Sequence, residues 1–177
     1  PGNQIPHNAF CAKLAVMPHL RAETISCALS TRRLGRPAVC FEQVGSTNDA
    51  ANDLARGGAG DGLLVVADEQ TAGRGRQGRS WWAPRGTCLL MSLVLRPALP
   101  LALAGQLTMC LGLGAVEGVS AQTGAAAVLK WPNDLLLAGR KLGGMLTELE
   151  TDGGQLNYAV LGLGLNVNVS FDSPAVP

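Results

Sequence analysis

The chain has 177 residues and a mass of 18.3 kDa, the size of one domain or of one domain with a short appendage. With 47% hydrophobic and 15% charged residues it is too apolar for an intrinsically disordered protein, and its 23 glycines follow no Gly-X-Y period, which excludes collagen. A formal net charge of +1 excludes a molecule that grips nucleic acid over its whole surface, so any charge-driven site is local.

Residues 1–37 carry the weakest signals; a helix over 9–29 is expected, broken or kinked at Pro18. Residues 38–44 (AVCFEQV) suit a strand. Ser46 and Asp49 stand in the spacing of a capping box, which predicts a helix running to Arg56 and stopping at Gly57-Gly58. Residues 62–67 (GLLVVA) suit a buried strand, 68–86 a Gly- and Arg-rich loop, and 87–95 another strand. A long apolar helix then follows Pro100 and ends near Val119. The last third reads as a β-meander, with strands over 127–131, 135–138, 141–151 and 156–169. Turns at Pro132-Asn133-Asp134, Gly139-Arg140 and Asp152-Gly153-Gly154 join them. Strands dominate, so the expected class is α+β: a mixed, largely antiparallel sheet flanked by helices.

Cysteines at 11, 27, 40, 88 and 110 are odd in number, far apart and never in Cys-x-x-Cys spacing. That argues against a disulfide framework or a thiolate zinc site; small core residues in a reducing compartment, the cytoplasm, are the expectation. The longest apolar stretch, 101–116, is interrupted by Gln106 and Thr108 and is shorter than a bilayer requires. It is expected as a buried helix, with no membrane partner.

Chemistry concentrates in three places. In Gly73-Arg74-Gly75-Arg76-Gln77-Gly78-Arg79 glycines alternate with arginines, and no Asp or Glu occurs from Gln70 to Val116. Glycines let backbone approach a ligand, and guanidinium groups make charge-assisted bonds to phosphate or carboxylate. A solvated linker or an RGG-like RNA contact remains open on the loop alone. Second, residues 158–169 alternate: Leu161, Leu163, Leu165, Val167 and Val169 share one strand face, which must be core. On the other face Gly162 and Gly164 leave bare backbone, with Asn166 beyond them. That baring suits either a ligand or a bulky neighbouring side chain. Third, two of the three lysines, Lys130 and Lys141, lie in the hairpin region, and Lys141 is expected to share a strand face with Gly143. A lysine brings a compact charge to a place where two anions must meet.

Ser46-Thr47-Asn48, Glu69-Gln70-Thr71-Ala72, the run 73–79 with Trp81, 130–134 (KWPND), 140–146 and 162–166 occur in this order. Together they resemble the catalytic domain of the biotin protein ligases, over about residues 38–169. GRGRQGRSW and KWPND are specific in combination, whereas STN or GLGLN alone is weak. The resemblance implies a core related to class II aminoacyl-tRNA synthetases. It also implies two half-reactions: biotin and Mg-ATP give biotinyl-5′-adenylate, and a lysine of a biotin carboxyl carrier domain then takes the biotin.

By the same resemblance, Arg74 and Arg76, with Gly73 and Gly75, match the loop over the biotinyl-adenylate, and Arg79 with Trp81 its nucleotide side. Lys141 matches the lysine that bridges the biotin carboxylate and the α-phosphate, making Lys141, Arg76 and Arg74 the candidate catalytic groups. Ser46, Thr47, Asn48 and Gln70 match the head-group site, and Gly143, Gly162 and Gly164 the floor. Asn133 matches a contact to phosphate and magnesium; Lys130 and Asn166 go with the nucleotide. Residues 1–37 leave no room for a winged helix-turn-helix, so no DNA partner is expected. Residues 38–177 are expected to be the catalytic domain without the SH3-like domain that usually follows in this family. A homodimer is among the assemblies the family implies. Alternatives are a fragment that binds biotin or its adenylate without transfer, and a lipoate-type ligase of the same superfamily.

Overall fold

A computed structural model describes residues 20–169. Short helix α1 (Ala22–Ala28) precedes strand β1 (Ala38–Phe41), helix α2 (Thr47–Arg56) and strand β2 (Leu64–Ala67). Strand β3 (Cys88–Leu95) leads to helix α3 (Gly105–Thr123), and strands β4 (Ala127–Lys130), β5 (Asp134–Leu137), β6 (Arg140–Asp152) and β7 (Gln155–Asn166) follow. The seven strands form one sheet in the order β1-β2-β3-β7-β6-β5-β4. Among the seven strands only β1 and β2 pair in parallel, as a crossover through α2 requires; the other strand pairs are antiparallel. The expected mixed, largely antiparallel sheet with flanking helices is what forms.

The two faces of the sheet are used differently. Leu161, Leu163 and Leu165 of β7 join Leu135, Leu142 and Met145 on the face covered by α3 and α1. Gly112 lets α3 come close there, since a Cβ on it would lie 2.8 Å from a Leu129 methyl. On the opposite face α2 buries Ala51 and Ala55 against Val65, Val94, Tyr158 and Val160. Helix α2 is only ten residues long, so it covers the β1–β2–β3 side, reaches Gly162 through Asn48 at its start, and leaves the backbone around Gly144 and Gly164 uncovered by helix. That gap becomes the cleft.

Several sequence expectations need correcting. Of the helix over 9–29, the structure has Ala22–Ala28; residues 1–19 lie outside the described part. Strand β1 stops at Phe41, with Val44 bridging to Gln70 instead, and β7 stops at Asn166 rather than 169. Helix α3 continues past Val119 to Thr123, where Gly124 (φ 71°) ends it. It is not a buried helix: within it only Gly112 is buried, and Leu113 is 56% exposed. By length and composition the segment Leu101–Thr123 could cross a membrane, but in this fold it rests one side on the sheet through Leu107, Leu111, Ala115, Val116 and Val119. Nor is any described cysteine fully buried, although Cys40 packs against the core. Cys27 and Cys110 are exposed on helix faces that turn away from the sheet, and Cys40 and Cys88 are half-buried.

Candidate functional site

Helix α2 begins at Ser46, but the expected capping box is absent: the Ser46 side chain makes no cap bond, and Asp49 faces Arg74. The orphan N–H of Thr47 donates instead to Gln70 Oε1 at 2.7 Å, and the Thr47 hydroxyl donates to the same oxygen at 2.9 Å. A side chain from the loop after β2 thus caps the helix. Ser46, Thr47 and Asn48 are all buried in the wall so formed.

Behind that wall Ser92, fully buried on β3, lies 2.6 Å from Asn48 Oδ1 and 2.8 Å from Thr47 Oγ1. Asn48 Nδ2 donates to Leu146 O and to Glu148 Oε2. Two hydroxyl protons, of Thr47 and Ser92, therefore serve three oxygen–oxygen contacts. The cluster has more lone pairs than protons, so it suits a ligand that brings N–H donors.

The run 73–81 folds as a small hairpin, the flap. Gly75 N donates to Arg79 O at 2.6 Å and Trp81 N to Gly73 O at 2.8 Å, around Gln77 in the left-handed region (φ 57°). At the base of the flap, Arg85 bridges Glu69 at 3.6 Å and Glu42 at 3.8 Å, which gives the 83–86 segment a bracing role. Three side chains tie the flap to the body. Arg74 pairs with Asp49 and with Glu148 Oε1; Arg76 donates to Asn133 Oδ1 at 3.1 Å; Trp81 lies on the β6–β7 backbone.

The floor is made by glycines on neighbouring strands, Gly144 of β6 directly opposite Gly164 of β7, with Gly162 opposite Leu146. A Cβ on Gly164 would come within 2.8 Å of the Trp81 ring, and one on Gly162 within 2.2 Å of Asn48 Oδ1. Both readings of these glycines thus apply: they admit neighbouring side chains, and they line the cleft. The indole nitrogen of Trp81 is buried with no hydrogen-bond partner, an arrangement that costs roughly 1–3 kcal/mol. Lys141 Nζ lies 2.8 Å from Asp134 Oδ1 and 5.8 Å from the centre of the Trp81 ring.

The resulting cleft encloses about 400 Å³. It gathers Ser46, Thr47, Asn48, Gln70, Arg74, Gly75, Arg76, Arg79, Trp81, Asn133, Lys141, Gly162 and Gly164 from the sequence-derived candidates. Gly73, Lys130, Gly143 and Asn166 are not on its lining. Gly73 is needed behind the flap, where a Cβ would lie 2.5 Å from Trp81 O. Lys130 stands exposed at the end of the sheet's edge strand, and Asn166 Nδ2 reaches Lys141 O at 3.4 Å.

Gly143 is a correction. The pairing of β5 with β6 slips between Leu135 and Leu136, so Leu142 is the extra residue of a β-bulge. Lys141 therefore shares its face with Gly144, whereas a Cβ on Gly143 would point at Leu165 and Gly164 O, both at 2.5 Å. Sequence reasoning missed Gly144, Asp134 and Glu148. Asp134 stood in plain view within KWPND; Gly144 and Glu148 become visible only once the bulge sets the face of β6.

The family model of the biotin/lipoate A/B protein ligases matches residues 40–166. This chain belongs to that family. The bifunctional ligase/repressor BirA of Bacillus spizizenii is 39% identical over 153 residues, covering 86% of this chain and 47% of that protein. The biotin–[acetyl-CoA-carboxylase] ligase of Mycobacterium tuberculosis is 39% identical over 155 residues, covering 84% of this chain and 54% of its own. The Aquifex aeolicus biotin protein ligase, solved in complex with biotin and ATP, superposes with a TM-score of 0.65 at 33% identity, over 78% of this chain and 55% of that one. The chain thus spans about half the length of these relatives.

Proposed function

We propose that this chain is the catalytic part of a biotin–protein ligase: it joins biotin to AMP from Mg-ATP and passes the biotin to a lysine of a biotin carboxyl carrier domain of acetyl-CoA carboxylase or a related carboxylase. The observation that carries the reading is the convergence, in one cleft, of a lone-pair-rich wall, a side-chain-free floor and four cations. The ureido ring of biotin presents two N–H donors and one carbonyl, which complements Thr47 Oγ1 and its neighbours. Its bicyclic body fits bare backbone at Gly144, Gly162 and Gly164. Its carboxylate must attack an α-phosphate, so a cation has to lie between two anions.

Lys141 is suited to that position. Transfer of its ammonium from Asp134 to the reacting anions frees an oxygen ligand beside Asn133. Asp134 and, once Arg76 has left its Oδ1, Asn133 would offer the hard oxygen donors suited to a magnesium ion arriving with ATP. Arg76 and Arg79 line the same cleft and would meet the charge of the departing pyrophosphate, and the flap would keep water from the mixed anhydride. The carrier substrate and this chemistry imply a cytoplasmic protein.

Mass spectrometry for biotinyl-adenylate after incubation with biotin and Mg-ATP tests the first step. Its appearance supports the reading, and biotinylation of an added carrier domain supports the second. Adenylate formation with lipoate in preference to biotin would instead favour the lipoate branch of the family. No acyl-adenylate from either acid, with the chain folded, overturns the proposal.

A further inference from the structure

Among the flap's three attachments, two end on groups that a ligand must reach: Arg76 on Asn133, and Trp81 on the glycine floor. The third does not. Arg74 lines the cleft, but Glu148, which holds it at 3.0 Å, lies outside the lining. This attachment can therefore persist when the cleft fills.

Glu148 is also more than a surface partner. Its side chain is 28% exposed, and its two oxygens have different duties. Oε1 receives Arg74, while Oε2 receives Asn48 Nδ2 at 2.9 Å and Asn52 Nδ2 at 3.1 Å. Asn48 belongs to the lone-pair-rich wall, and Asn52 stands one turn further along α2. One carboxylate from β6 thus joins the start of α2 to the base of the flap, with Asp49 as a second hold on the same guanidinium. Exposed ion pairs contribute little, but a carboxylate taking three donors and already fixed by two of them loses little entropy on binding the third.

We infer that Glu148, assisted by Asp49, is a positioning residue: it anchors Arg74 so that the flap swings about a fixed inner end, with its Arg76–Trp81 portion moving, and closes over the adenylate in register with the head-group wall. The inference rests on the proposed ligase reading for its ligand, but the anchor itself exists without one.

Two measurements on the whole chain test it. The first needs no ligand: trypsin cuts after Arg74, Arg76 and Arg79, and the rate at each is read by mass spectrometry. Glu148→Gln keeps an oxygen for the two asparagines but turns a neutral amide toward Arg74. The expected result is about fivefold faster cleavage within the flap, the equivalent of roughly 1 kcal/mol, rising further in Asp49→Asn/Glu148→Gln, with cleavage elsewhere unchanged. Parental flap cleavage in the double variant, or a rise matched at all sites, overturns the anchor. Asp49→Asn alone, at an exposed position on the first turn of α2, tests the same Arg74 anchor through its other carboxylate should the Glu148 variant unfold.

The second measurement is calorimetry with biotin and with a non-hydrolysable biotinyl-adenylate analogue. Glu148→Gln is expected to bind biotin within about twofold of the parent and the analogue about tenfold more weakly. Equal loss of both means that Glu148 acts through Asn48 alone, and parental affinity for the analogue means that closure does not need the anchor; either overturns the inference. A parent that binds neither compound defeats the ligase reading, while the proteolysis result still decides the anchor.

Discussion

Adjacent glycines on β6 offer a test in which one methyl group should do opposite things at neighbouring positions. At Gly143 an added Cβ lies 2.5 Å from Gly164 O and 2.5 Å from a Leu165 methyl. A backbone oxygen held in the β6–β7 ladder cannot move aside cheaply, so Gly143→Ala strains the sheet by overpacking, on the order of 2 kcal/mol. In a domain of this size each kcal/mol moves Tm by roughly 2–4 °C, so a loss of about 4–8 °C is expected. At Gly144 the nearest atoms are a Trp81 ring carbon at 3.5 Å and Lys141 Cε at 3.6 Å, ordinary contact distances. Gly144→Ala should therefore change stability by no more than about 0.5 kcal/mol. It raises the cleft floor by a methyl group, however, and should weaken biotin binding about tenfold, roughly 1.4 kcal/mol. Differential scanning calorimetry and isothermal titration with biotin read the two effects separately. If Gly144→Ala loses stability while Gly143→Ala keeps its Tm and loses biotin, the bulge at Leu142 is misplaced and Gly143 faces the cleft.

Lys141→Ala should slow adenylate formation at least tenfold more than it weakens biotin, because its charge matters most as negative charge gathers on the reacting oxygens; pre-steady-state rates set beside biotin affinity check this. Trp81 must leave the floor for a ligand to occupy it, so biotin should change the intrinsic fluorescence, and most of that change should vanish in Trp81→Phe although Trp82 and Trp131 remain. Burial pushes the Cys40 and Cys88 thiols up from their ordinary value, which disfavours the reactive thiolate. Iodoacetamide at pH 8 should modify exposed Cys27 and Cys110 first, with Cys40 and Cys88 gaining reactivity only at more alkaline pH; peptide mapping gives the order.

What could be read beforehand followed from local pattern. The leucine–glycine alternation of β7 needs only the period of a strand, and the Gly-Arg run declares its charge in its own residues. The turn at 153–154 was legible because a Gly-Gly pair suits the positive φ that both residues take, whereas the turn expected at Gly139-Arg140 falls one residue earlier, with Ala138 (φ 50°) beside Gly139 and Arg140 already in β6. What stayed hidden depends on partners distant in the chain. The bulge at Leu142 is defined only against β5, so the phase of β6 could not be followed past Lys141 by counting alternate residues. Ser46 and Asp49 satisfy a capping pattern, yet Gln70 takes the cap and Arg74 takes the acid, a choice made by tertiary contacts. Exposure of α3 was misjudged for a related reason: apolar composition records what a helix can bury, whereas the sheet supplies only one side to bury it against.

The carboxylates around the cleft carry a consequence for how it should respond to ionic strength. The sequence has no acid between Gln70 and Val116, as though the flap were strongly electropositive. Folding brings Asp49 and Glu148 to Arg74 of the flap and Asp134 to Lys141 of β6, so the four cations Arg74, Arg76, Arg79 and Lys141 stand against three carboxylates, and the excess is a single positive charge. An anionic ligand that binds here exchanges one negative partner for another at Lys141 and meets Arg76 and Arg79, which pair with no carboxylate among the described residues. Added salt screens the pairs being broken along with those being made, and the affinity for nucleotide should fall with salt far less steeply than four unpaired cations would dictate. Selectivity in such a cleft comes from where the charges sit relative to the wall and the floor, and little of it from long-range attraction.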